Sequence, residues 1–156
     1  MSDPYEELLN GELNLRIGPG ERHERICARL HEVVLASVAN FSSMRLLPAR
    51  SKIQLNQYHT VRPDLAVTTS ANNRLFLAVE IVSTDDHRVD TVVKKQIYED
   101  VKVPRLWMVD PRYDNVEVYH SNQYGLVLKG ILAGSEILSE QLMPEFQMVI
   151  RDLFAA

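Results

Sequence analysis

Cysteine is almost missing from this chain of 156 residues: Cys27 stands alone. One thiol forms no internal disulfide and supplies neither a four-cysteine zinc site nor one of two cysteines and two histidines, so a reducing cytoplasm is the expected setting. Long apolar runs are missing too. Leu75–Val79 and Leu106–Val109 fall far short of the roughly 20 residues that cross a bilayer, and the opening Met-Ser-Asp-Pro-Tyr-Glu-Glu lacks a basic-then-apolar secretory pattern. An excess of positive charge is the third absence, since 17 Lys and Arg against 21 Asp and Glu give a formal net charge of -4. That balance argues against tight non-specific binding to DNA, although a local basic patch or metal ions can still hold a phosphate backbone. With 46% hydrophobic and 24% charged residues, the composition is that of an ordinary globular chain, and one domain over residues 1–156 is expected.

Hydrophobic periodicity divides the chain into helices and strands. Pro4–Leu9 has the residues to open a short helix, Asn10-Gly11 is a turn, and Glu12–Ile17 alternates as a half-buried strand does. After Gly18-Pro19-Gly20, apolar residues recur at helical spacing from Glu21 to about Phe41, and Arg22, Arg25 and Arg29 form a basic stripe beside them. That stripe is either a solvated edge or a set of phosphate contacts. Strands are expected at Lys52–Leu55, Arg62–Thr68 and Arg74–Ser83, with a hairpin turn at Thr69–Asn73, then a helix over Arg88–Val101 and a strand over Arg105–Asp110. Val116–His120, Leu126–Leu132 and a final helix around Val149–Phe154 complete an αβββαβββ-like order of the α/β or α+β class.

Two acids stand where apolar residues belong. In Arg74–Ser83 both faces are apolar except for Glu80, which is the pattern of a buried central strand. A carboxylate there takes up a proton or finds a cation, because an unpaired buried charge is costly. If the hairpin turns at Asn72, Asp64 lies opposite Glu80, with Cβ atoms roughly 5 Å apart. Like charges in that position destabilise a sheet, and either a divalent cation or a basic side chain in a buried ion pair removes the conflict. The following helix carries Asp90, Lys94 and Tyr98 four residues apart on one stripe, so Lys94 is either the i,i+4 partner of Asp90 or the cation that reaches both acids.

These residues carry a resemblance. The chain is similar to a bacterial family described as putative restriction endonucleases, within the PD-(D/E)XK nuclease superfamily. The matching pieces are Glu7–Leu13, His23, Arg62–Val67, Val79–Ser83, Asp90 with Lys94 and Tyr98, Val103-Pro104, Trp107–Pro111, and the ending from Leu142–Glu145 to Asp152–Phe154. The resemblance implies a restriction endonuclease-like fold, a central twisted mixed sheet flanked by helices. It also implies Asp64, Glu80 and the Ile81 carbonyl as metal ligands, with Asp64, Glu80 and Lys94 as the catalytic set. The superfamily's usual lysine position is occupied here by Val82, and Lys94 matches the migrated lysine on the next helix. Asn10 stands where the family often has Asp, and Lys102 where it often has Gly. Glu12 and His23 are further candidates for the cleft wall.

The chemistry expected of this set is hydrolysis of DNA phosphodiester bonds with Mg²⁺, or Mn²⁺ as a substitute. Cutting both strands calls for two sites and hence a homodimer. Two alternatives stand beside it: a catalytically silent nuclease fold that binds nucleic acid or protein, and a purely structural buried network. His31, His59, His87 and His120 are scattered without zinc-ligand spacing, and Cys27, Trp107 and Met108 are expected in the core.

Overall fold

In the computed structural model, which describes residues 2–155, the first decision of the chain is made at Asn10-Gly11. Both residues have positive φ, 54° and 78°, the backbone that a two-residue hairpin turn requires. The turn joins β1 (Tyr5–Leu9) to β2 (Glu12–Arg16) in a continuous antiparallel register from Leu9↔Glu12 to Tyr5↔Arg16. The short helix expected over Pro4–Leu9 is therefore a strand. Its Glu7 and Leu9 are buried while Glu6 is exposed, so the alternation of a strand governs this segment.

A long helix, α1 (Glu21–Val38), starts as expected after Gly20 and ends three residues before Phe41. Then come β3 (Met44–Leu46), β4 (Ile53–Asn56), β5 (His59–Val61), β6 (Leu65–Thr69) and β7 (Leu75–Ile81). The expected helix over Arg88–Val101 is a π-helical turn, Val89–Lys94, that runs into α2 (Lys95–Asp100). β8 (Arg105–Asp110), β9 (Asn115–Asn122) and β10 (Gly125–Ala133) follow, then a hairpin of β11 (Ile137–Glu140) and β12 (Met143–Val149), and finally α3 (Ile150–Phe154).

Six strands form the central sheet in the order β10-β9-β8-β7-β6-β3, with β7 and β8 parallel and the other pairs antiparallel. It is the mixed sheet flanked by helices that the sequence resemblance implies. A smaller sheet, β2-β1-β5-β4, lies beside it. The two faces of β7 and β8 divide the core. Leu77, Val79, Ile81, Trp107 and Val109 pack with α1, α3 and β12, whereas Ala78, Leu106 and Met108 pack with Ile97 and Tyr98 of α2 and with Leu9 and Val61 of the small sheet. Glu80 is on the second face, between α2 and the small sheet.

Strands β3 and β5, three residues each, are too short to display alternation, and Pro144 inside β12 argues locally against a strand. These three, together with β11, are the strands absent from the expected αβββαβββ order. Among the described residues no helix is long and apolar enough to cross a membrane.

Trp107 is fully buried and stacks on Phe146 with ring centroids 5.3 Å apart. Phe146→Ala removes that stack and leaves a cavity, and is expected to lower unfolding free energy by about 3–5 kcal/mol. Urea denaturation followed by the fluorescence of Trp107, the single tryptophan, measures the loss.

Candidate active site

The β6–β7 hairpin is built in the register that brings the two acids together. Leu65 pairs with Val79, Ala66 with Ala78 and Val67 with Leu77. One rung further, Asp64 falls opposite Glu80. Both are buried, at 3% and 2% exposure.

Glu80 Oε2 accepts a hydrogen bond from the Tyr98 hydroxyl at 2.5 Å and pairs with the Lys94 ammonium, Nζ at 2.7 Å. Lys94 is wholly enclosed, and its Nζ also donates to Glu7 Oε2 at 2.7 Å. Glu7 in turn receives Arg16 Nη1 at 2.5 Å and the Arg62 backbone N–H at 2.7 Å. Arg16, three per cent exposed, spans Glu7, Asp86 at 2.9 Å and Asp90 at 2.8 Å. The stripe Asp90–Lys94–Tyr98 thus faces inward as one unit. Lys94 reaches Glu80, and its other acid is Glu7 and not Asp90, whose partner is Arg16.

Asp64 sits at the other lobe. Its Oδ1 accepts from His23 Nε2 at 2.9 Å and Arg50 Nη1 at 3.0 Å, and its Oδ2 accepts from the Ile81 backbone N–H at 2.8 Å. Arg50 also binds both oxygens of Glu24, at 2.6 and 2.8 Å. His31 Nε2 and Cys27 Sγ approach the Asp64 carbonyl, which holds the start of β6 against α1.

Electrostatics separates the acids. Burial raises every carboxyl here, but at Glu7 the Lys94 ammonium and the Arg62 N–H outweigh it and hold the group below the usual carboxylate range. Asp64 is likewise held low, because His23 and the Ile81 N–H overcome its burial. At Glu80 burial wins against Lys94 and pushes the carboxyl up to about 8. Lys94 shifts the opposite way from an isolated buried lysine: burial works against its charge, yet Glu80 and Glu7 raise it well above its ordinary value. Three buried carboxyls, Glu7, Glu80 and Asp90, therefore surround two buried cations, Arg16 and Lys94. With all three ionised one negative charge is in surplus, and Glu80, whose carboxyl burial raises to about 8, removes it by taking up a proton.

That surplus is what a divalent ion would neutralise. Among the described residues no three His, Cys, Asp or Glu side chains are grouped to cage a metal. Mg²⁺ needs no such cage, since one or two carboxylates suffice when waters and phosphate oxygens complete the shell. Asp64, Glu80 and the Ile81 carbonyl are oxygen donors of that kind. A cleft of about 360 Å³ opens beside them, with Tyr5, Arg16, His23, Ile81, Ser83 and Asp90 in its wall; Asp64 and Glu80 themselves lie behind that wall.

His23 is at the site, as the resemblance suggested; Glu12 is exposed on β2 and is not. The residues that sequence reasoning missed are Glu7, Arg16 and Arg50. Reading Tyr5–Leu9 as a strand would have put Glu7 on the buried face with Leu9. The Arg22, Arg25 and Arg29 stripe is largely tied to its own chain: Arg22 binds Asp114 and the Pro111 carbonyl, Arg29 binds the Leu153 and Ala155 carbonyls, and Arg25 lies beside Glu21.

The central mixed sheet flanked by helices has a counterpart among solved structures. The structure is similar to a crystal structure from Anabaena variabilis described as a "putative nuclease" belonging to DUF820, with a TM-score of 0.81 over 99% of this chain and 92% of that one, at 18% identity. Residues 2–151 match the Uma2 family, described as "Putative restriction endonuclease". The chain belongs to that family. No curated protein matches it.

Arg16 touches three acids, so Arg16→Met strands the buried Asp90 without a cation and leaves Glu7 with Lys94 alone. It is expected to destabilise the fold by about 3–5 kcal/mol. Arg22→Ala breaks an exposed pair and is expected to cost under about 1 kcal/mol. Thermal unfolding of the two variants side by side measures the difference.

Proposed function

We propose that this chain is a metal-dependent endonuclease that hydrolyses phosphodiester bonds of DNA. The observation that carries the reading is the facing of Asp64 and Glu80 across one rung, with Lys94 on Glu80. Two carboxylates brought together in a buried sheet are a liability unless a cation joins them. Family membership and the fold both favour phosphodiester chemistry over other uses of such a site.

Mg²⁺, or Mn²⁺ in its place, would be held by Asp64, Glu80 and the Ile81 carbonyl, where it would lower the pKa of a bound water and offset charge on the phosphate. The protein's own groups do the rest. Tyr98 fixes Glu80 Oε2 by its hydroxyl and leaves Oε1 outside that bond. Glu7 holds the Lys94 ammonium on the far side from Glu80, so the lysine stays charged and in place to donate a hydrogen bond to the attacking water or to a phosphate oxygen. His23 and the Ile81 N–H set the plane of the Asp64 carboxylate. Two such sites in a homodimer would serve the two strands of a duplex.

A second reading, a nuclease fold that binds nucleic acid without cutting it, is favoured by one feature: the named oxygens of Asp64 and Glu80 already have protein donors, and Lys94 has no exposed surface.

Supercoiled plasmid incubated with the protein in Mg²⁺ or Mn²⁺ separates the two. The nuclease reading expects nicking or linearisation that EDTA abolishes and that Asp64→Asn or Glu80→Gln reduces by about a thousandfold or more, with Lys94→Ala losing about a hundredfold. Plasmid binding without any cutting in either metal would favour the second reading. Sedimentation with and without duplex tests the dimer, which a monomer under both conditions would exclude.

A further inference from the structure

Arg50 is the least expected cation at this site. It stands in the connection between β3 and β4 with φ of 55°, in the left-handed region that side-chain-bearing residues avoid. Arginine gains nothing in that conformation from its own backbone, and a glycine would adopt it freely. The unusual backbone is matched by the side chain's position: Nη1 lies 3.0 Å from Asp64 Oδ1, and Nη2 lies 2.6 and 2.8 Å from the two oxygens of Glu24. Backbone strain maintained at a functional site is a reason to ask what the side chain does there.

The three partners of the Asp64 carboxylate differ in how easily they can leave. The Ile81 N–H is part of the β7 backbone, and His23 is carried in the first turn of α1. Arg50 is on an irregular loop, its side chain is 18% exposed, and it has a second acid, Glu24, that keeps it nearby when it lets go of Asp64. Ser2 Oγ donates to Glu24 Oε2 at 2.6 Å and steadies that anchor. A guanidinium has five N–H donors in a planar fork, and Nε–H lies outside the bonds to Asp64 and Glu24.

We propose that Arg50 is the resident counter-cation of Asp64 in the metal-free chain and a substrate-phosphate ligand once Asp64 turns to a divalent ion, with Glu24 as its hinge point. This rests on the nuclease reading above and names a further substrate-contacting residue for it. A divalent ion held at Asp64 would repel the Arg50 guanidinium, whose Nη1 lies 3.0 Å from Oδ1, and so would favour its release from that oxygen. The freed fork keeps its bond to Glu24 and presents its remaining donors to a phosphate oxygen, for which arginine's geometry is suited.

The test uses the full chain and two readouts. Calorimetric titration with Mn²⁺ compares the wild type with Arg50→Gly, which retains the left-handed backbone at no steric cost, and with Arg50→Lys, which keeps charge without the fork. Removing the competing cation is expected to tighten Mn²⁺ binding by roughly threefold or more in Arg50→Gly. Plasmid cleavage in saturating Mn²⁺ is expected to fall at least about tenfold in the same variant, with Arg50→Lys in between. Tighter metal with weaker cleavage is a combination that a merely structural arginine does not produce. Mn²⁺ binding that is unchanged or weaker, or cleavage equal to wild type, overturns the proposal while leaving the nuclease reading intact. A wild type that neither cuts nor binds Mn²⁺ through Asp64 overturns the nuclease reading itself, and this proposal with it.

Discussion

A lysine ammonium with no contact with water holds this site together. Lys94 is fixed between Glu7 from the N-terminal hairpin and Glu80 from the central sheet, each at 2.7 Å. Neither acid tolerates its depth alone, and neither does the lysine; removing one partner of such a set leaves a buried charge uncompensated. The three elements are consequently obliged to meet. The hairpin β1–β2 closes over the sheet because Glu7 and Arg16 have no other way to satisfy their charges, and the turn before α2 is held down because Asp90 and Lys94 answer to the same network. The small sheet is in this sense part of the scaffold of the candidate site.

Much of this was legible in the chain itself. Strict parity in Phe76–Val82 singled out Glu80, and a hairpin centred on Asn72 put Asp64 opposite it; the turn itself sets Thr69 against Arg74 and Thr68 against Leu75, and a bulge between Val67 and Thr68 shifts the ladder by one residue into the pairing that faces the two acids. Lys94 was visible because Asp90, Lys94 and Tyr98 recur at four-residue spacing beside the apolar face. The N-terminal hairpin was not legible in the same way. Pro4 followed by two glutamates has the look of a helix start, and the Asn10-Gly11 signal that overrides it acts through the pairing of β1 with β2. Glu7 and Lys94 are 87 residues apart, and no local pattern reports such a contact. Arg50 was hidden for a different reason. An arginine in a loop is ordinary, and only its φ and the proximity of Glu24 and Asp64 make it notable.

The acidic net charge and a nucleic-acid substrate are less at odds than the sums suggest. Several of the basic groups around the cleft are already paired with acids of the same chain: Arg16 with three, Arg22 with Asp114, Arg50 with two. Non-specific affinity for a polyanion scales with the phosphates neutralised, and paired arginines contribute little to that count. Under the proposed function, a chain built this way would depend for phosphate binding on groups released or added at the site, so its attraction for DNA would be coupled to the loading of the site and not to its overall charge.

The position of the lysine has a geometric cause. Val82 occupies the place on the strand that shares a face with Glu80, and it is packed at 1% exposure, so the ammonium has to come from the crossover. A regular α-helix turns about 100° per residue, which rotates positions four apart by about 40° from one another. Asp90, Lys94 and Tyr98 on such a helix would fan out by about 80° in total. The Val89–Lys94 segment is a π-helical turn instead. With its i→i+5 bonds it winds less per residue, so the drift from Asp90 to Lys94 runs opposite to that from Lys94 to Tyr98, and the two offset. All three side chains end buried, with Asp90 on Arg16 and with Lys94 and Tyr98 converging on the same oxygen of Glu80. The π-helical turn thus lets Lys94 and Tyr98 meet at one carboxylate while Asp90, one turn earlier, faces Arg16.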